Sequence, residues 1–98
     1  MISAAVDQTL RDFASECARW RLIRGLTKKQ LAAAMGFDPS YISHVERGRH
    51  PPTANFASRA EAALDAGQEI WNRYLRYEAA TGQPAGRLAG WAQPPARP

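Results

Sequence analysis

The sequence predicts an all-α domain of five helices followed by a flexible tail. Apolar residues recur at spacings of three and four in several successive segments, which is the period of an amphipathic helix. Residues that cap helices and residues that end them stand between these segments. Residues 82–98 are rich in Gly, Pro and Ala and carry too few apolar groups for a core. We therefore expect residues 1–81 to fold as one domain and residues 82–98 to form a flexible tail.

The charge distribution is compatible with a nucleic-acid partner. The chain of 98 residues has a net charge of +4 and an isoelectric point near 9.8. From Arg19 to Arg49, seven basic residues stand against two acidic ones. A basic cluster of this kind attracts the phosphate backbone of nucleic acids. The positive charge is therefore concentrated in one segment of the chain.

Cysteine usage and hydropathy predict the compartment. Cys17 is the only cysteine, so no disulfide can form within the chain, and a reducing environment is expected. The first ten residues lack the basic start and the apolar core of a signal peptide. No stretch approaches the roughly 20 apolar residues that cross a membrane. We expect a cytoplasmic protein with no membrane partner.

The first predicted helix carries one apolar stripe. We expect a frayed end over residues 1–6, with Asp7 or Thr9 capping the helix. The helix should run to about Arg24, where Gly25 ends it. The stripe contains Leu10, Phe13, Ala14, Cys17 and Trp20. One side of this helix should therefore face the core.

The middle of the chain predicts two short helices joined by a tight turn. Thr27 can accept a hydrogen bond from the N–H of Gln30, whose side chain can reach back, and Gly36 can end the helix. Asp38 is a good N-cap for the next helix, and Pro39 suits its first position. Two helices separated by a short turn that contains a glycine form a helix-turn-helix pattern.

These residues resemble a known family. The chain reads G-L-T-x-x-x-L-A-x-x-x-G-F from Gly25, S-Y-I-S from Ser40 and V-E-R-G-R-x-P-P from Val45. This is similar to the Xre family of phage-repressor-like DNA-binding domains, over residues 10–66 or so. Several fixed spacings together are far more specific than any one of them. The resemblance implies a five-helix, lambda-repressor-like DNA-binding fold.

The resemblance also implies a set of site residues. The helix from Pro39 to Arg47 would lie in the major groove of double-stranded DNA. Base contacts are expected from Pro39, Ser40, Ser43 and His44. Phosphate contacts are expected from Lys28, Lys29, Tyr41, Arg47 and Arg49. Arg21 and Glu46 are expected to form an ion pair that fixes the orientation of two helices, and the alternative is two solvated surface charges.

Two further helices are predicted after a pair of prolines. Thr53 caps the fourth helix, which should end near Gly67, and the fifth should run from Gln68 to about Ala80. The apolar stripe of the fifth helix contains Ile70, Trp71, Tyr74, Leu75 and Tyr77. This stripe is wider than one packing surface requires, which indicates a dimer or partner surface. The alternative is that the same side chains extend a small core.

The expected function is sequence-specific transcriptional regulation by a homodimer on a pseudo-palindromic operator, with half-sites roughly 34 Å apart. Repression is the expected sign, because a small domain over a promoter blocks polymerase with no further parts. We expect no enzymatic activity and no cofactor. Cys17 lies in the apolar stripe, and Cys17, His44 and His50 are too few for a metal site and follow no recognised spacing.

Two alternatives remain open at this point. Antitoxins of toxin–antitoxin pairs resemble this fold, and in such a role, or as an adaptor, residues 68–80 and the tail would bind a protein partner. The lack of apolar and β-branched residues in the tail argues against that role. The other alternative is a non-specific DNA-coating protein, which would show a steep salt dependence and no preferred sequence.

Overall fold

The computed structural model describes residues 4–82, and every regular element in that range is an α-helix. The helices, in chain order, are α1 (Ala4–Ile23), α2 (Lys28–Met35), α3 (Pro39–Glu46), α4 (Ala54–Leu64) and α5 (Glu69–Thr81). The predicted five-helix fold is thereby confirmed. The tail predicted for residues 82–98 lies, beyond Gly82, outside the described residues.

The predicted start of α1 was wrong. The helix has already begun at Ala4, so neither Asp7 nor Thr9 is its N-cap. The Thr9 hydroxyl donates instead to the carbonyl of Val6 at 2.9 Å, which is how threonine is accommodated inside a helix. Asp7 accepts from Arg11 at 2.9 Å on the exposed face. The two alanines that open α1 have the highest helix propensity of any residue type, so the helix extends past the cap candidates.

The caps of α2 are those the sequence predicts. The Thr27 hydroxyl accepts from the N–H of Gln30 at 3.0 Å, and the Gln30 side chain accepts from the N–H of Thr27 at 2.9 Å. Gly36 ends the helix with φ at +78°, a conformation that residues with a Cβ rarely adopt. Both predictions for this helix are therefore confirmed.

Helix α3 starts at the predicted cap as well. The Asp38 carboxylate accepts from the N–H of Ser40 at 3.1 Å and from the Ser40 hydroxyl. These two bonds, the hydroxyl first, hold the pKa of Asp38 below its usual value. Pro39 occupies the first turn, where its missing N–H leaves no partner unsatisfied. The start of α3 is thus fixed by local chemistry alone.

All five helices contribute buried side chains to one hydrophobic core. Phe13 of α1 is fully buried, and its ring packs edge-on against Phe56 of α4 and Tyr74 of α5, with centroids 6.2 and 6.4 Å apart. Cys17, one turn along α1, is 2% exposed. Burial, followed by the nearby carboxylates of Glu46, Glu16 and Glu61, raises the pKa of its thiol. Cys17 is therefore a structural residue of the core.

Side chains from distant segments close two helix ends. Arg24 donates to the carbonyls of Leu64 and Asp65, both at 2.7 Å, at the C-terminus of α4. Arg59 donates to the carbonyl of Met35 at 3.0 Å, at the end of α2. Unpaired carbonyls at helix ends are costly when they lose water, so these guanidinium groups stabilise both termini.

Helix α4 ends earlier than predicted, so the turn between α4 and α5 is longer than expected. Helix α4 ends at Leu64, and Asp65 takes the left-handed conformation with φ at +48°, before Gly67 is reached. The Glu61 carboxylate then accepts from the N–H groups of Gln68 and Trp71 at 2.7 and 3.0 Å. A carboxylate from α4 therefore caps α5, in place of a capping side chain at Gln68 itself.

Candidate nucleic-acid interface

Helix α3 has one face in the core and one face outside it. Ile42 and Val45 are each 1% exposed and anchor the inner face. Of the four residues expected to contact bases, Pro39 and Ser40 are exposed, whereas Ser43 and His44 are half-buried. All four therefore lie away from the buried face of α3.

The outer face of α3 is already partly organised by hydrogen bonds. The Ser40 hydroxyl donates to Asp38, which leaves its oxygen lone pairs as acceptors. The Lys28 ammonium, at the start of α2, donates to the Ser43 hydroxyl oxygen at 3.2 Å. The His44 ring lies edge-on to the ring of His50, with centroids 5.2 Å apart. The polar groups of α3 are thus held from both flanking segments.

The seven basic residues between positions 19 and 49 divide into those that contact other parts of the domain and those that form no ion pair in the described part of the chain. Arg19, Arg21 and Arg24 make contacts inside the domain, to Glu16, Glu46 and the end of α4 respectively. The remaining four form no ion pair within residues 4–82. These four are Lys28, Lys29, Arg47 and Arg49. Lys28 is half-buried and the other three are exposed, so their charge is available to a ligand.

Tyr41 lies at the boundary between this surface and the core. Its ring stacks on Phe37 at 5.2 Å and meets Phe56 edge-on at 5.4 Å. The ring of His50 is also close, with its centroid 5.3 Å away. Tyr41 is half-buried, so its ring holds α3 to the turn and to α4. A phosphate contact from Tyr41 would have to come from the hydroxyl end of the side chain.

Arg21 and Glu46 are joined by a two-pronged ion pair. Arg21 Nε donates to one carboxylate oxygen of Glu46 at 2.8 Å, and an NH₂ nitrogen donates to the other at 3.0 Å. The third guanidinium nitrogen of Arg21 donates to the carbonyl of Leu26 at 3.0 Å. The bond to Glu46 raises the pKa of Arg21. The pair fixes the end of α3 to the end of α1, and the Leu26 contact adds the entry to α2.

A family model described as helix-turn-helix matches residues 18–67, just over half of the chain. The chain belongs to the Xre-type helix-turn-helix family. It is similar to an uncharacterized HTH-type transcriptional regulator of Sinorhizobium fredii, y4dJ, with 46% identity over 39 residues. That match covers 40% of this chain and 51% of the relative, so the chain spans about half the length of the relative. No solved structure matches the chain.

Two of the five residues of α5 that were expected on a dimer or partner surface are buried in the helix-turn-helix domain instead. Ile70 is fully buried and Tyr74 is 7% exposed, so both belong to the core of the chain and not to a dimer or partner surface. They point inward because α5 packs along α1, where Phe13 meets Tyr74. Trp71 and Tyr77 are half-buried, and Leu75 is 42% exposed. Of the five residues predicted for an interaction surface on α5, only Trp71, Leu75 and Tyr77 are accessible.

The described residues of the helix-turn-helix domain offer neither a metal-binding cluster nor a membrane-spanning helix. Among residues 4–82, no three side chains of His, Cys, Asp or Glu come together in a group that could hold a metal ion. No helix in the same range is long and apolar enough to cross a membrane.

Proposed function

We propose that the chain is a sequence-specific DNA-binding regulator of transcription that places α3 in the major groove. The observation that carries this proposal is the composition of the outer face of α3. Its side chains offer hydrogen-bond donors and acceptors, and cations without ion-pair partners in the described part of the chain flank it on both sides. An α-helix fits the major groove, where each base pair presents a distinct pattern of donors and acceptors.

The flanking cations suit the phosphate backbone. Lys29 comes from the first turn of α2, next to Lys28, whose ammonium contacts Ser43 in the middle of α3, whereas Arg47 and Arg49 follow the end of α3. The first N–H groups of α2 have no acceptor within the helix and add a partial positive charge there. Phosphate contacts of this kind set the register of a protein on the duplex without reading sequence.

The outer side chains of α3 supply the base contacts. Ser40 and Ser43 each offer a hydroxyl group, and His44 can donate to N7 of guanine or adenine. Pro39 can contact only apolar groups, such as the methyl group of thymine. None of these four offers by itself the two-bond pairing of Arg or Asn, so discrimination at each base pair should be moderate.

We further propose a homodimer that represses by covering a promoter. A two-fold dimer would place two α3 helices roughly 34 Å apart, one turn of the duplex, and would bind a pseudo-palindromic site. The exposed Leu75, with the half-buried Trp71 and Tyr77, supplies the apolar side chains that such an interface would bury.

The proposal is tested by selecting bound fragments from the sheared DNA of the source organism at near-physiological salt. We expect enrichment of one two-fold motif, located at promoters. Uniform recovery that disappears as salt is added would contradict the proposal, because it is the behaviour of a non-specific coating protein.

The phosphate role of Arg47 has its own expected result. Arg47→Ala should weaken binding to all sequences alike and lower the slope of log K against log salt concentration by about one. Arg11→Ala is the matched control, since it removes the same charge from an exposed position on α1. Arg11 lies roughly 15 Å along that helix from Arg21, the residue of α1 that contacts the end of α3. A change of motif with Arg47→Ala, or an equal effect of Arg11→Ala, would contradict the assigned role.

A further inference from the structure

The hydrogen bond between Lys28 and Ser43 joins the two helices of the helix-turn-helix at the outer surface. Lys28 is the first residue of α2, and its ammonium group lies 3.2 Å from the hydroxyl oxygen of Ser43 on α3. Lys28 forms no ion pair with a carboxylate within residues 4–82. The positive charge of Lys28 therefore lies against α3, and no carboxylate in the described range neutralises it.

The chemistry of the two groups fixes which one donates. An ammonium group has three N–H donors and no acceptor, whereas a hydroxyl group has one donor and two acceptor sites. Lys28 must therefore be the donor, and the Ser43 proton must be directed elsewhere. No hydrogen bond given by the Ser43 hydroxyl is found within the described range. Two N–H groups of Lys28 also remain, so the pair presents donors from both side chains to an incoming ligand, beside the second acceptor site of the Ser43 hydroxyl.

Two adjacent donors match one base better than the others. Guanine presents two acceptors, N7 and O6, side by side in the major groove, whereas cytosine presents an amino donor. Adenine presents one acceptor and one donor there, and thymine presents one acceptor beside a methyl group. Two donors 3.2 Å apart can satisfy both acceptors of guanine together. An ammonium group also polarises the hydroxyl that it contacts, which strengthens that hydroxyl as a donor.

We infer that Lys28 and Ser43 act as one unit that selects a guanine in each half-site, with one group bonding to O6 and the other to N7. This inference rests on the proposed function and adds to it a named base and a specificity-determining residue on α2. It gives Lys28 a role other than the phosphate contact expected from its place at the start of that helix. It also supplies the two-bond pairing that no single side chain of α3 offers.

The test compares Lys28→Met with Lys29→Met. Methionine keeps most of the lysine stem and removes the charge. Lys29 is the exposed neighbour on the same turn and makes no contact with Ser43, whereas Lys28 is half-buried and does. Each variant, Ser43→Ala and the combination of Lys28→Met with Ser43→Ala are used to select duplexes from a randomised pool. The preference at every base pair is then measured by competition at one salt concentration, and thermal unfolding establishes that each variant is folded.

We expect Lys28→Met and Ser43→Ala to lose preference at the same guanine, each by about 2- to 12-fold, which is the value of one hydrogen bond. The combined variant should lose less than the product of the two effects, because the groups act together. Lys29→Met should keep the wild-type motif and bind all duplexes more weakly. Replacing that guanine by 7-deazaguanine, which lacks N7, should weaken binding by wild type more than binding by the combined variant, which lacks both donors.

Two results would overturn the inference and are distinct from each other. If Lys28→Met keeps the wild-type motif and behaves like Lys29→Met, Lys28 is a phosphate contact and the proposed function stands without the guanine-selecting pair. If wild type itself enriches no motif, the proposed function fails and the inference fails with it.

Discussion

Replacing Glu46 by alanine is expected to lower the free energy of unfolding by about 3–5 kcal/mol. The side chains of Arg21 and Glu46 are 12% and 6% exposed, and two hydrogen bonds join them. Removing the carboxylate leaves a guanidinium group with little water around it and one remaining partner, the carbonyl of Leu26. An uncompensated charge in such a place costs far more than the intact pair contributes. Urea unfolding followed by circular dichroism measures the loss.

The chain contains a matched control for this prediction. Asp7 and Arg11 form an ion pair at 2.9 Å, close to the 2.8 Å of Arg21 and Glu46, but their side chains are 56% and 59% exposed. Asp7→Ala should therefore change stability by less than about 1 kcal/mol. Replacing both members of the buried pair with apolar residues, Arg21→Met with Glu46→Leu, should recover part of the loss. A loss with Glu46→Ala no greater than that with Asp7→Ala would show that the pair is effectively solvated.

Replacing Phe56 by alanine is expected to cost about 3–5 kcal/mol of folding free energy, the usual range for a buried phenylalanine. Phe56 is 1% exposed and lies between three other rings, with centroid distances of 6.2 Å to Phe13, 5.2 Å to Phe37 and 5.4 Å to Tyr41. The first ring belongs to the core, and the other two hold the turn and α3. The variant should therefore lose stability and also hold α3 less firmly.

Thermal and urea unfolding of Phe56→Ala should be compared with those of Leu22→Ala. Leu22 is 66% exposed, so its truncation should change stability by no more than about 0.5 kcal/mol. Hydrogen exchange of the α3 amides would show whether α3 is held less firmly, with faster exchange expected in Phe56→Ala. Stability within about 1 kcal/mol of wild type would mean that the surrounding rings close the cavity, contrary to the expectation.

Local chemistry explains why most helix boundaries could be predicted from the sequence. The capping box at Thr27 and Gln30 and the cap at Asp38 depend on residues two or three apart, so they can be recognised without knowing how the helices pack. The prediction for the start of α1 was wrong because two alanines extend the helix beyond its cap candidates. A cap candidate identifies a helix end only where the residues before it disfavour helix.

Contacts between distant segments could not be predicted in the same way. Arg24 closes the end of α4 forty residues away, and Glu61 caps α5 from the preceding helix. Neither contact has a spacing rule, because both depend on how the helices pack. The same limit applies to Ile70 and Tyr74, whose apolar character is equally compatible with a core and with an interface. The packing of α5 along α1 decides between the two.

The candidate site contains features that the sequence predicts and a contact that depends on helix packing. The outward residues of α3 follow from helical periodicity once Ile42 and Val45 are placed in the core. The contact between Lys28 and Ser43 does not, because it depends on the angle at which α2 and α3 cross. Charge counting alone also overestimates the free basic surface, since Arg21 and Arg24 are used inside the domain.

The central claim, that α3 reads base edges, is tested most directly with the variant that combines Ser43→Ala with His44→Ala. Its affinity for the selected site and for every single-base-pair variant of that site should be measured beside wild type at one salt concentration. We expect the preference to flatten at a few adjacent base pairs, by about 1–3 kcal/mol, with the other positions unchanged. If the variant retains the full wild-type preference at every position, the bases are read by another part of the chain, and the placement of α3 in the major groove is wrong.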